Sequence, residues 1–466
     1  MRPIVDEVQA AHGRSTKVAR LAHVDADMLV DHLSRSADWV KRSARAGDYV
    51  PTDPPRNVAS TILARDGEWR LPSLAGVITT PTLRPDGTIL SAPGYDPETR
   101  LLLMDPPPLP DLKERPTRAD AMEALHLLDA LLDGFPFVNP ASRSVALSSL
   151  ITPVVRGAMP VAPLHANSAP VAGSGKSYIV DLASAILTGD RAPVIAAGRN
   201  EEETEKRLGA ALLAGLPIVT IDNVNGQLGG DALCQMIERP VVSVRPLGVS
   251  RLVRIESRAS MFATGNNIHL VGDMTRRVVL CSLDPNMERP ELRTFRTNPF
   301  DTVVRSRGKY VAAALTIARA YMVAGCPDEL PPLASFEAWS RIVRSALVWL
   351  EQVDPVETMA SARDNDPVLS SLSALLHTWH RAAGDTFQPT SKMKALADTR
   401  DARGDLVHPE LQQALLEVAE KPGVGIDPRR LGMFLARHSG RIVDGLKAQD
   451  ILDDHSKQKN WRVVRI

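Results

Sequence analysis

The chain has 466 residues, with 55 Lys plus Arg against 55 Asp plus Glu and a hydrophobic share of 44%, enough apolar material for two or three buried cores. Apolar residues spread along the whole length exclude a disordered tail or a fibre, and no apolar run reaches the roughly 18 residues of a bilayer span. A net charge of zero leaves any nucleic-acid contact to a local basic surface.

The N-terminal MRPIVDEVQAAHGRSTK places an acidic residue where an export signal carries its apolar core, so a cytoplasmic protein with no membrane partner is expected. Cys234, Cys281 and Cys326 lie far apart and form no C-x-x-C pair, which indicates neither a zinc ribbon nor a disulfide framework. Proline clusters at 51–55, 106–110 and 327–332 read as boundaries. Residues 1–110 are expected to form a small mixed domain, with short strands separated by the turn signals PDG and PGYD.

Residues 111–158 form a helical lead-in. Thr117 caps a helix whose Met122, Leu125, Leu128, Leu131 and Leu132 recur at helical spacing, and a second helix is expected over 142–155. Residues 159–300 then alternate by type: strand 161–168, helix 177–187, strand 192–197, helix 201–213, strand 217–222, and later strands 259–265 and 277–284. That alternation predicts an α/β fold with a mainly parallel sheet covered on both faces. Residues 301–386 read as helical, with 311–325 and 336–353 both periodic, and 387–466 as a compact terminal domain.

The chemistry begins at PVAGSGKS, 170–177, between a predicted strand and a predicted helix. It fits the P-loop pattern G-x-x-x-x-G-K-[ST] except for Pro170 at the first glycine position. Gly173, Ser174 and Gly175 let backbone amides close on phosphate oxygens, and the following helix points its positive end at them. Lys176 reaches the β- and γ-phosphates of ATP, and the Ser177 hydroxyl binds Mg²⁺. Asp222, closing the strand PIVTID, supplies the second metal carboxylate; an Asp opening a surface turn is the alternative.

Asn223 follows, and Asn cannot accept a proton at neutral pH. Two readings stay open. Either hydrolysis is slow and the site mainly binds nucleotide, or the base comes from the cluster Glu201, Glu202, Glu203 and Glu205, with Glu203 taken as the candidate. Those acids also suit the first turn of a helix. Asn266, in ATGNN, is the polar residue expected to face the γ-phosphate or its attacking water, against the alternative of an Asn in a left-handed turn. Arg276 and Arg277 are candidates to stabilise transferring phosphoryl charge, or else pair with Asp273 or Asp284. Arg245, Arg251, Arg254 and Arg258 flank PLGVS in a pattern that predicts a basic β-hairpin, suited to gripping a nucleic-acid backbone or simply solvated.

The order PVAGSGKS, IVTIDN, ATGNN, DMTRR and LDPNMERPELRTF resembles the AAA+ ATPase domain of phage, plasmid and genomic-island replication helicases, relatives of the superfamily 3 and minichromosome-maintenance helicases. The likeness spans roughly 150–295. Upstream, 74–103 looks like the segment preceding the ATPase in phage primase-helicase proteins; downstream, 431–449 with 460–466 looks like a small winged-helix module. The resemblance implies a P-loop AAA+ core and a self-assembled ring, a homo-hexamer, with ATP between subunits. It assigns Lys176 and Ser177 to nucleotide and metal, Asp222 to metal, Asn266 to a sensor and Arg276 or Arg277 to an arginine finger, with hairpins lining a channel for single-stranded DNA. Arg289 and Arg293 are possible further phosphate contacts, or ion-pair partners of Glu288 and Glu291.

No primase signature is visible, so a separate primase or replication initiator is an expected partner. Residues 421–466 hold ten Lys or Arg against five Asp, a surface suited to duplex DNA or equally to protein docking. The expected function is an ATP-dependent DNA helicase in replication of a mobile element. The alternatives are an AAA+ loader that remodels DNA-bound proteins without unwinding, and a ring that binds nucleotide and rarely cleaves it.

Overall fold

The computed structural model describes residues 2–10, 14–65, 67–198, 201–246, 252–293, 297–364, 366–452 and 458–466. Two compact units divide the chain. One comprises Met1–Gly226, Gly230–Ile268 and Arg277–Thr358; the other comprises Gln227–Gly229, His269–Arg276 and Met359–Ile466. Among the described residues no helix is long and apolar enough to cross a membrane.

The larger unit opens with an antiparallel hairpin, Arg2–Ala10 against Arg14–Ala22, and continues through helices Ala26–Ser36 and Arg56–Ala64 and the short strands of 76–103. Helix α1 (Arg118–Asp129) begins at Thr117, whose side chain accepts from Asp120 N while the Asp120 carboxylate accepts from Thr117 N. This reciprocal cap satisfies two amides that have no partner inside the helix. Helix α2 (Pro140–Ile151) starts at Asn139, whose side chain accepts from Ser142 N at 2.8 Å.

The core is α/β, with a parallel sheet of five strands. In chain order the elements are β1 (Leu164–Ala169), α3 (Lys176–Thr188), β2 (Val194–Ala196), α4 (Glu201–Leu213), β3 (Ile218–Leu228), α5 (Asp231–Glu238), β4 (Val241–Val244), β5 (Val253–Glu256), β6 (Ser260–Leu270) and β7 (Val278–Ser282). The order across the sheet is β2-β3-β6-β1-β7. Every residue of β1 is buried, as a central strand covered on both faces requires. The same alternation of apolar strands and helices that predicts the sheet builds it.

Two strands outrun their sequence limits. β3 passes Asp222 to Leu228 and β6 passes Gly265 to Leu270. The turn-forming asparagines at these points do not end the strands; Asn223 (φ 58°) and Asn267 (φ 47°) take the left-handed conformation in mid-course, which Asn tolerates better than most residues. Gly265 is needed there because a Cβ on it would stand 2.0 Å from Val224 O.

α3 is anchored at its far end. Arg307, at the start of α6 (Arg307–Val323), donates Nε to Ile186 O at 3.1 Å and a second nitrogen to Leu187 O. A partly buried cation thus satisfies carbonyls that the last helical turn leaves unpaired. The expected single helix 336–353 is instead Glu337–Trp339, a π-turn over Ser340–Arg344, and Ser345–Trp349. Trp339 is held inside by Thr152 Oγ1 at 3.0 Å.

The smaller unit contains α7 (Pro367–Ala383), β8 (Gln388–Pro389), α8 (Thr390–Ala397), α9 (Pro409–Ala419), α10 (Pro428–His438), β9 (Ile442–Val443), β10 (Leu446–Leu452) and β11 (Lys459–Arg465). Its four-stranded sheet runs β8-β11-β10-β9. Leu375, Trp379, Leu415, Leu431, Leu435 and Trp461 share one core, so α7 packs within this unit ahead of the expected start at 387.

Candidate nucleotide site

The loop between β1 and α3 turns on two glycines, Gly173 (φ 74°) and Gly175 (φ 102°), both in the region a side chain disfavours. Pro170, in place of the first glycine, is the exposed residue at the end of β1 and leaves these two turns intact. The Ser174 hydroxyl donates to Val171 O at 2.9 Å and closes the loop from inside.

Lys176 reaches back across the loop. Its Nζ donates to Val171 O at 2.7 Å, to Ser174 Oγ at 3.1 Å and to Asn266 Oδ1 at 2.9 Å. All three acceptors are neutral, so among the described residues this half-buried cation has no carboxylate bonded to it. Burial holds its pKa below the ordinary lysine value, with Asp222 pulling the other way. A half-buried ammonium without a bonded counter-charge fits an anionic ligand. Ser177, beside it, is exposed.

Sheet register brings the other residues here. Ala169 stands opposite Asn266, Asn167 opposite Thr264, and Ala196 opposite Asp222. Thr264 Oγ1 donates to Asp222 Oδ1, two residues before Asn266 and therefore on the same strand face. Lys176, Ser174, Asn266 and Asp222 thus converge at one end of the sheet, the carboxyl end of β1. Asn223 is exposed.

Thr264 and Asn167 were not singled out from sequence. Asn167 Nδ2 donates to Lys176 O at 3.3 Å while its buried Oδ1 lacks a partner among the described residues. Strand alternation through ATGNN was the available signal for Thr264. The loop is also covered by residues far from it in sequence. A Cβ on Gly173 would meet Glu291 N at 3.0 Å and one on Gly175 would meet the Phe135 ring at 3.0 Å. Arg293 donates to Gly134 O and Arg289 pairs with Glu291 at 3.3 Å, so the 289–293 segment lies over the glycine loop.

No family model matches the sequence, and no curated protein matches it. Among solved structures, the chain is similar to the A form apo structure of the NrS-1 C-terminal region, with a TM-score of 0.38 and 11% identity, covering 96% of this chain and 100% of that one. A second structure of that region gives a TM-score of 0.39 and 12% identity over 95% and 100%. SCCmec type IV Cch, an active helicase, gives 0.32 and 14% over 86% and 76%.

The adjacent arginines are placed very differently. Arg277 has a side chain 6% exposed and is paired with Glu238, whose other oxygen accepts from Ser335 Oγ at 2.6 Å. Arg276 is 49% exposed and meets Asp273 at 3.2 Å. Of the acidic cluster, Glu201 accepts from Asp231 N at 2.6 Å at the start of α5, and Glu202 pairs with Lys206 at 2.7 Å. Glu203 pairs with Arg207, which also donates to Ala196 O at 2.8 Å, the residue in register with Asp222.

The expected hairpin is present as β4 against β5, with Ser243 opposite Arg254. Arg245 and Arg254 are exposed; Arg251 lies outside the described residues. Arg258, grouped with them by sequence, belongs to the base instead, where it donates to Met159 O at 2.8 Å and pairs with Glu256 at 3.0 Å.

Proposed function

We propose that this chain is an ATP-dependent DNA helicase, a translocase working as a homo-oligomeric ring in the replication of a phage or mobile element. The observation that carries the nucleotide part is the half-buried Lys176, bonded among the described residues only to neutral oxygens at the head of a glycine loop and tied to Asn266. Residues 159–300 are the motor core, 111–158 and 301–358 its helical surround, 1–110 an accessory domain and 359–466 a winged-helix-like module.

In this reading the loop amides of Gly173 to Ser177 and the Lys176 ammonium hold the β- and γ-phosphates. Ser177 and Asp222 would hold Mg²⁺, which would neutralise phosphate charge. Thr264 orients the Asp222 carboxylate. Asn266 places its amide beside Lys176, where it can orient a water. Glu203, held by Arg207 near the Asp222 register position, takes the proton from that water. Arg276, the exposed member of its pair, reaches the phosphates of a neighbouring copy, while Arg277 holds its own fold through Glu238. Arg245, Arg254 and Arg251 grip single-stranded DNA by its phosphates.

The test is ATP hydrolysis and strand displacement on a forked DNA by the purified chain. DNA-stimulated hydrolysis with displacement supports the helicase. Stimulated hydrolysis without displacement favours the loader, and neither activity refutes both.

A further inference from the structure

The smaller unit carries a second cationic surface that the nucleotide site does not use. α10 buries Leu431 and Leu435 in the unit's core, with Phe434 packed against it, and exposes Arg429, Arg430, Met433, Ala436 and Arg437. Its sequence, PRRLGMFLARH, holds three arginines and no carboxylate. Arg429, Met433 and Arg437 follow at intervals of four and so share one helix face.

Three observations set this face apart from an ordinary solvated one. Three acids of this unit are already engaged: Asp427 caps α10 by accepting from Arg429 N at 2.8 Å and Arg430 N at 3.4 Å, Asp444 accepts from Ser373 Oγ, and Asp450 pairs with Lys459 at 2.7 Å. The side chains of Arg429, Arg437 and Arg441 form no ion pair and no hydrogen bond among the described residues. Between the terminal arginines of the face, Met433 is 65% exposed. Their like charge is felt locally, since His438 is held below its ordinary pKa by burial and then by Arg441 and Arg437, with Asp366 pulling the other way.

We propose that α10 is a duplex-DNA-binding helix, with Arg429 and Arg437 on phosphates flanking a major groove and Met433 facing the base edges between them. Eight residues of helix separate the two arginines by about 12 Å, close to the roughly 12 Å width of that groove. A polyanion supplies the counter-charge that the protein lacks here; a protein surface would bury three uncompensated cations unless it were itself strongly acidic. The assignment stands apart from the nucleotide site and holds whether or not the chain cleaves ATP.

The full chain is titrated, without nucleotide, against a blunt duplex of about 20 base pairs and against a single strand of the same length, over a range of salt. In R429A/R437A, duplex affinity should fall about tenfold or more and the slope of log affinity against log salt should shrink by about two, since each lost phosphate contact removes roughly one unit. Single-strand affinity and ATP turnover should stay at the parent's values. R429K/R437K should keep most of the duplex affinity, because it keeps both charges. A parent that binds no duplex at low salt, a double-alanine variant with unchanged duplex affinity, or a double-lysine variant as weak as the double-alanine one each overturns the proposal. Unchanged affinity would hand the face to a protein partner.

Discussion

The glycine-loop end of the sheet and the β4–β5 hairpin both carry candidate functional cations, and they are built in opposite ways. Lys176 has three side-chain or main-chain acceptors around it, and Asp222 is held by Thr264. Their partners follow from strand register in a buried sheet. Arg245 and Arg254 stand exposed on a two-stranded ribbon whose fixed charges, Arg258 and Glu256, sit at its base. Arg100, at the start of the 101–103 strand, pairs with the same Glu256. If the first holds small phosphates, pre-bonding suits it to do so within a fraction of an ångström; if the second follows a moving backbone, it needs charge and reach more than geometry.

If that contrast is right, changes at the sheet should cost turnover and changes on the hairpin should cost only DNA contact. The sharpest case lies in the adjacent arginines. R276A should lower kcat on the order of a thousandfold with no change in thermal unfolding, and R277A should instead lose about 3 to 5 kcal/mol of stability by removing the cation that pairs with the Glu238 carboxylate. Steady-state kinetics and denaturant melts on both variants would separate them, and equal effects would remove the distinction. E203Q should reduce turnover at saturating ATP by about a hundredfold; parental turnover would show that the cluster only serves its helix and its ion pairs. R245A/R254A should weaken single-stranded DNA binding about tenfold at low salt and flatten its salt dependence while sparing basal hydrolysis. Loss of basal hydrolysis there would break the contrast.

The sheet, its helices and the loop were legible because each leaves a periodic or fixed-spacing trace. The limits of α4 follow its predicted ones, and the loop glycines turn as the P-loop pattern expects. What was not legible depends on long-range packing. Asn223 and Asn267 look like strand ends, yet their backbones absorb a left-handed residue and the strands continue because a neighbouring strand still offers hydrogen-bond partners. The π-turn at Ser340–Arg344 has no signature in apolar spacing. The cover of the loop by Phe135 and Glu291 joins segments more than 150 residues apart, which local pattern cannot connect. Arg276 and Arg277 are chemically identical in sequence; only burial against Glu238 tells them apart.

The central claim is that Lys176 and its loop bind a nucleoside triphosphate. Calorimetric titration of the chain with a non-hydrolysable ATP analogue and Mg²⁺, beside the K176A variant, tests it most directly. Saturable binding by the parent at one site per chain, lost or weakened on the order of a hundredfold in the variant, is the predicted result. A parent that binds no analogue, or a variant that binds it as tightly, would contradict the claim.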